Sequence, residues 1–232
     1  SGKVKQDYGL SAIEGKFFKS ADKIIIEDLT QQGKIYSAET FTHTYPFCYR
    51  CDTPLLYYSI DTWFIGVSKI KDLLLKTAEV INWSPANIKN GRFGKWLEGA
   101  RDWAISRNRY WGAPVPIWVN DADENDILVI ESIQQLNDLT GGEYDLKDLH
   151  RPYIDSVVIK KDGKTYHRVE EVLDCWFESG SMPIAQQHYP FDGPEKFEAS
   201  FPADYIGEGL DQTRLWFYVL HVISSIIFEK PA

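Results

Sequence analysis

Ala203-Asp204-Tyr205-Ile206-Gly207-Glu208-Gly209-Leu210-Asp211-Gln212-Thr213-Arg214-Leu215-Trp216-Phe217 is the stretch on which the fold reading turns. Residues 203–206 have the composition of a short strand, and Gly207-Glu208-Gly209 that of the turn after it. Asp211 then opens a helix expected to run to about Phe228. Leu215, Trp216, Phe217, Tyr218, Val219, Leu220, Val222 and Ile223 cover most of its circumference, so it is expected to be buried on several sides. A strand, a glycine turn and a buried helix make one edge of a parallel α/β sheet, where ligands bind beyond the carboxyl ends of the strands. One strand and one helix do not complete a sheet, so this segment reads as a piece of a larger domain. Two glycines let the backbone around Glu208 approach a ligand closely, and the helix N-terminus offers free N–H groups and a positive dipole end to an anion. Glu208, Asp211 and Gln212 can accept hydrogen bonds from a ribose or an ammonium group. Asp211 reads equally well as a helix N-cap, and the glycines as ordinary turn residues.

Outward from that stretch the chain mixes helices and strands. Ser20 as N-cap and Gly33 as terminator bound a first helix of about three turns. Residues 34–67 read as short strands around a loop bracketed by Pro46 and Pro54, with Leu55-Leu56-Tyr57-Tyr58 and Thr62-Trp63-Phe64-Ile65 as the strand segments. Ile70, Leu73, Leu74 and Val80 space an amphipathic helix over residues 67–80, and residues 90–103 read as a second. Residues 111–116 form an extended Gly/Pro connector, 120–126 an acidic loop, and 131–139 a short helix stopped by Gly141-Gly142. A β-hairpin is expected over 155–169, turning at Lys161-Asp162-Gly163.

The chain has 232 residues, a hydrophobic fraction of 44% and a charged fraction of 25%, which is ordinary globular composition and excludes wholesale disorder. The longest apolar-dominated run, residues 215–228, is too short to span a bilayer, and no leader marks the chain for export, so a cytoplasmic protein is expected. The only methionine is Met182, so the chain is expected to be cut from something longer. A net charge of −9 argues against broad wrapping of nucleic acid. The sign reverses locally: Lys89, Arg92, Lys95, Arg101, Arg107 and Arg109 stand against Glu98 and Asp102. Phe93, Trp96, Trp103, Tyr110 and Trp111 lie among or beside those cations. The patch reads either as a solvated face or as a small anion-binding surface. Cys48-Tyr49-Arg50-Cys51 is half of a zinc-ribbon spacing, with His43 near enough in sequence to add a third ligand, whereas closed zinc sites take four. Cys175 reads as a buried small residue. Trp176 and Trp216 are large apolar walls beside polar groups. No P-loop, GxSxG, HExxH or GxGxxG occurs.

Four segments occur in a telling order: residues 43–55 (HTYPFCYRCDTPL), 100–112 (ARDWAISRNRYWG), 172–180 (VLDCWFESG) and 208–217 (EGLDQTRLWF). Together they resemble the middle of the isoleucyl-tRNA synthetases, a class I synthetase family, over essentially the whole chain from about Gly15. The resemblance implies an α/β fold: a partial Rossmann-type catalytic domain with a connective-peptide insertion. Residues 1–66 would be the tail of the editing insertion and the strands returning from it, 67–171 a connective region, and 172–232 the second half of the catalytic domain. It implies ATP, isoleucine, magnesium and tRNA(Ile) as the parent enzyme's substrates and partners, formation of isoleucyl-adenylate, and transfer of isoleucine to the tRNA. Glu208, Gly209, Asp211 and Gln212 would line the adenylate site, and Trp176 and Trp216 would flank the isoleucine side chain. The six cations of residues 89–109 would touch tRNA. Cys48 and Cys51 would be half of a zinc site, and a monomer is expected. An apolar pocket discriminates one methylene by only about 1–3 kcal/mol, which is why such enzymes also edit.

Several departures accompany the resemblance. The HIGH-like, KMSKS-like and editing-pocket signatures are missing, so this chain alone is expected neither to activate isoleucine nor to edit. The cysteines that some relatives carry near residues 118–123 and 159–164 are absent, so no metal is expected there. Leu215 stands where the family usually has glycine, a change expected to shift Trp216. A stand-alone module that binds RNA or a protein remains the alternative.

Overall fold

The computed structural model describes residues 2–6, 9–57 and 59–232. The chain is a mixed α and β protein and divides into two compact units, residues 1–60 and 61–232.

In the first unit, helix α1 (Phe18–Gln31) starts two residues before Ser20, which therefore sits inside the helix and caps nothing. Gly33 does stop it: its φ is +65°, and the N–H groups of Gly33 and Lys34 donate to the carbonyls of Thr30 and Leu29. Glycine reaches that left-handed backbone without a Cβ clash. Beyond it the chain is extended rather than paired. The expected strand at 55–58 does not form: Leu55, Leu56 and Tyr57 have no strand partner and are exposed, and Tyr58 lies outside the described residues. A single bridge, Phe47 to Pro54, closes the loop carrying Cys48 and Cys51.

The second unit holds two hydrophobic cores. Around the first run β1 (Phe64–Ile65), a 3-10 turn (Val67–Ile70), α2 (Lys71–Ala78), a π-type turn (Lys89–Phe93), α3 (Gly94–Glu98), β2 (Trp103–Ala104) and β3 (Ser106–Arg107). The helix expected over 90–103 thus ends at Glu98, and Trp103 belongs to a strand paired with β1. The second core belongs to an antiparallel sheet with α4 and α5 beside it: β4 (Ile117–Asn120), β5 (Asp123–Val129), α4 (Ile133–Thr140), α5 (Arg151–Ile154), β6 (Val158–Lys161) and β7 (Lys164–Arg168), in strand order β5-β4-β7-β6. Half of the supposed acidic loop is strand β5, and the turn itself is confined to the residues just before it. Asp162 (φ +53°) and Gly163 (φ +75°) make the hairpin turn, both on the positive side that two-residue hairpins require. Trp118 is fully buried in this sheet, and its indole N–H donates to the Val157 carbonyl at 2.9 Å.

From β8 (Val172–Leu173), paired with β3, the chain returns to the first core through α6 (Cys175–Gly180), α7 (Met182–Ala185), α8 (Pro194–Ser200) and α9 (Trp216–Phe228). The expected strand at 203–206 is not formed, and the sheet pairings among the described residues are antiparallel. The helix expected from Asp211 is broken: a 3-10 turn (Leu210–Arg214) precedes Leu215, whose backbone (φ −121°, ψ −109°) is not helical, and α9 begins after it. Burial of α9 is as the composition demands, with Tyr218 to Ser225 all inside, packed with Val67, Leu74, Phe93 and Leu97. Gly180 sets how closely α6 lies on α9, because a Cβ there would stand 2.9 Å from Ile223 Cδ1 and 3.1 Å from the Val219 carbonyl carbon. Cys175 is exposed at the start of α6, contrary to its reading as a core residue.

Candidate functional site

Glycines 207 and 209 flank Glu208 on an exposed, extended segment rather than the expected turn, and the 3-10 turn Leu210–Arg214 separates it from α9. A Cβ on Gly209 would lie 2.6 Å from Asp211 Oδ1, so the carboxylate as placed folds back over the bare backbone of Gly209. The Gln212 N–H donates to the Gly209 carbonyl at 3.1 Å, which opens the 3-10 turn Leu210–Arg214. The amide of Gln212 then spans two jobs. Its Nε2 donates to Asp211 Oδ2 at 3.0 Å, and its Oε1 accepts the Trp216 N–H at 3.1 Å. The side chain that satisfies the first N–H of α9 is therefore Gln212, not Asp211. Asp211 and Glu208 remain exposed, with oxygens free to accept from hydroxyl or ammonium groups.

Trp216 is half-buried, and its indole N–H donates to the Ser179 carbonyl at 3.0 Å, tying α9 to α6. It lines a cavity of about 410 Å³ together with Glu208, Tyr205, Gly207, Phe201 and Gln187. Trp176, on α6, packs half-buried against the first core and does not line that cavity. The structure thus brings Glu208 and Trp216 to one hollow and leaves Gly209, Asp211, Gln212 and Trp176 outside its lining, while Trp176 and Trp216 both pack on the first core. Tyr205, Phe201 and Gln187 were not singled out in the sequence. No motif or local spacing marks them.

The cations of residues 89–109 part company in the fold. Arg92 Nε donates to Thr213 Oγ1 at 2.9 Å, and Thr213 is buried, so this arginine braces the 3-10 turn ahead of α9. Arg107 is held by Asp174 (3.1 Å) and by the carbonyls of Ala104 and Ser106. Lys89 donates to the Glu79 carbonyl. Lys95, Arg101 and Arg109 are exposed, with no side-chain partner among the described residues. Near them Asp102 accepts from the Ser68 hydroxyl (2.6 Å) and backbone N–H (2.9 Å), which hold its carboxyl below the usual range.

At the cysteine loop, Cys51 is exposed, and hydrogen bonds from the Thr53 hydroxyl and backbone, then from Cys48, lower its thiol pKa. The His43 ring nitrogen Nδ1 pairs with the Thr44 carbonyl at 2.8 Å. Among the described residues no three His, Cys, Asp or Glu side chains come together as a metal site. Two thiols do not make the closed four-ligand set of structural zinc, so this pair by itself does not fit that metal.

The family model for tRNA synthetases class I (I, L, M and V) matches residues 6–231. Similar curated proteins carry the name isoleucine–tRNA ligase. The one from Chlamydia abortus is 56% identical over 218 residues, covering 94% of this chain and 20% of its own length. That from Protochlamydia amoebophila is 58% identical over 219 residues, covering 94% of this chain and 21% of its own. The chain spans about a fifth of the length of these relatives.

Proposed function

The chain belongs to the class I tRNA synthetases, and from that membership we propose that it is part of an isoleucine–tRNA ligase. The observation that carries the specificity is identity of 54–58% across 94% of the chain to relatives bearing that one name. In this reading the parent protein activates isoleucine with ATP and magnesium, transfers it to tRNA(Ile), and works in the cytoplasm as a monomer. Residues 1–66 are the tail of its editing insertion, 67–171 its connective region and 172–232 the second half of its catalytic domain. No helix among the described residues is long and apolar enough to cross a membrane.

The glycine-flanked segment supplies the ligand contacts. Glu208 and Asp211 accept from the hydroxyls or ammonium of the aminoacyl-adenylate, and Gly209 keeps the backbone bare where it passes. Gln212 holds Asp211 and the first turn of α9 in fixed register, so the acceptors are positioned before the ligand arrives. Trp216, fixed through Ser179, is the apolar wall of the hollow. Leu215 sits at the break before α9, where it takes the place of the family's usual glycine beside that wall. The carboxylates bind and orient. The groups that would meet the transferring phosphoryl lie outside these 232 residues, so the chain by itself is inactive. Cys48 and Cys51 serve zinc only if a second ligand pair comes from elsewhere in the parent.

Isoleucine-dependent pyrophosphate exchange tests the assignment. The full-length parent is expected to exchange, and Asp211→Asn in it to fall at least about tenfold, the loss of one charge-assisted contact. The purified 232-residue chain is expected to show no exchange. Exchange by that chain would overturn its inactivity, and a parent specific for another amino acid would overturn the ligase assignment.

A further inference from the structure

The chain's negative charge is not spread evenly. Residues 120–149 hold nine carboxylates and one lysine, which accounts for most of the net charge of −9. The same stretch supplies one wall of a cavity of about 550 Å³ that opens to solvent between the sheet and residues 188–191. Its floor is the sheet's own core, where Trp118, Leu136 and Ile154 are buried. At its mouth Ile133, Leu149 and Phe191 are 46%, 38% and 60% exposed, so three large apolar side chains face water around one hollow. Three of the polar side chains in the lining are already engaged. Ser132 Oγ accepts the Gln135 N–H at 3.1 Å as the N-cap of α4, the Gln134 amide donates to Asp138 at 2.8 Å, and His188 Nδ1 pairs with Asp192 at 2.7 Å.

Those features select the occupant. Small-molecule sites fix their ligand with a few convergent polar groups, and those three are turned to the protein itself. An extended peptide that adds as a strand needs an unpaired edge, whereas the strand in this lining, β4, is paired by β5 on one side and β7 on the other. What is left is anchorage by side chains, the mode of an amphipathic helix whose i, i+3, i+4 and i+7 residues enter an apolar groove. The rim sets the sign of the rest of that helix. Glu131 lines the groove, exposed and without an ion pair among the described residues. Asp138 is one turn along α4 from Gln134, Asp148 adjoins Leu149, and Asp192 adjoins Phe191. Asp148 and Asp192 are bonded to His150 and His188, and no lysine or arginine lies in the lining. Carboxylates around an apolar groove repel an acidic partner and draw in a basic one, which they also orient. Permanent interfaces are the more apolar kind, so a rim this acidic marks an encounter between separate molecules. We propose that the groove between α4 and residues 188–191 docks a basic amphipathic helix of another protein, its apolar face on Ile133, Leu149 and Phe191 and its cations on Glu131, Asp138, Asp148 and Asp192. Docking there goes beyond the ligase reading and does not depend on it.

Fluorescence anisotropy tests the groove with three labelled synthetic peptides, each about five helical turns long. One is a leucine–lysine helix with leucine at i, i+3, i+4 and i+7, the second a twin with glutamate for lysine, and the third a scramble that scatters the leucines round the helix. The 232-residue chain is expected to bind the lysine peptide at least about tenfold more tightly than either control. Ile133→Ser and Phe191→Ser, both at exposed positions, should each weaken it about fivefold or more. Glu131→Lys combined with Asp138→Lys should reverse the preference, so that the glutamate twin binds the better. In the wild-type chain, hydrogen exchange should slow in α4 and at residues 188–191 when the lysine peptide is added, a readout independent of how the variants fold. Equal binding of the lysine peptide and either control overturns the docking site, as does equal binding by wild type and both serine variants. Exchange slowed only at some other face overturns it too. If the chain self-associates in sedimentation and Ile133→Ser abolishes that, the groove belongs to a second copy. If the chain binds the peptide and the full-length parent does not, the parent's own chain covers the groove. Either result rules out a separate partner. Pyrophosphate exchange by the parent is untouched by any of these results and decides the ligase reading separately.

Discussion

The two cores of residues 61–232 are built on opposite plans. The sheet of β4 to β7, with α4 and α5 beside it, draws its core from residues 118–166, nearly all one run of chain. The helical core joins residues 67–100 to residues 218–222, across more than a hundred intervening positions. Loop closure makes the second kind of contact slower to form, and its elements depend on partners that no local pattern reveals. The comparison predicts two regions that respond separately to damage. Trp118→Ala is the largest test. It empties a fully buried indole and strands the Val157 carbonyl, at a cost of about 3–5 kcal/mol. Hydrogen exchange should show protection lost in β4 to β7 and retained in the middle of α9. Uniform loss across both cores would mean they fold as one unit.

A smaller effect is expected at the contact that holds the helical core together. Gly180→Val places a branched side chain where even a single Cβ meets Ile223 and the backbone of Val219. Overpacking of this kind costs about 1–3 kcal/mol. Because α6 and α9 would be pushed apart, the hydrogen bond from the Trp216 indole to the Ser179 carbonyl should lengthen, and the hollow beside Glu208 should change shape. Urea unfolding gives the stability loss, and tryptophan fluorescence reports the local change. A variant as stable as wild type would show that the two helices separate without penalty.

The contrast between the cores also explains what could be read from the sequence. The hairpin was legible because Asp162-Gly163 fixes its turn within four residues, and the stop of α4 because Gly141 supplies a left-handed C-cap at φ +66°. Residues 203–206 and 55–57 have strand composition but no paired neighbour, and a strand exists only with one. Helix α9 was legible as buried, since its apolar residues run all round it. Its break at Leu215 was not, because it depends on Gln212 capping the helix four residues into what reads as one continuous segment. For the candidate site, the types Glu208, Asp211 and Trp216 stood out by chemistry. The pairing of Arg107 with Asp174 and of Arg92 with Thr213 joins positions 67 and 121 residues apart and leaves no mark on local spacing.

Acid should separate the cores with the smallest effect of the three, at most about 1.4 kcal/mol per pH unit for each proton. His221 lies in the helical core, where burial lowers its pKa from 6.5 against the weaker raising effect of the Leu74 carbonyl, 2.9 Å from Nε2. The other groups packed on it are neutral: Thr77, itself bonded to Ser225, and the Phe93 ring. The folded state keeps His221 neutral while the unfolded chain takes a proton below 6.5, so stability falls as pH drops from 6.5 toward the folded pKa and is flat above 6.5. In the sheet, burial pulls the Asp155 carboxyl up, and the hydrogen bonds from Arg168 and then Arg151 outweigh it, leaving the pKa below 3.8. The stability from that carboxylate is present above 3.8 and is lost as pH falls below it. Hydrogen exchange followed from pH 7 downward should therefore show α9 weakening first, from about pH 6.5, and β7 weakening only below about pH 3.8. His221→Gln should abolish the first onset and leave the second. An α9 whose protection does not change between pH 7 and pH 4 would mean that the folded core holds the His221 imidazolium as readily as the unfolded chain does, and the two cores would then share a single acid limit.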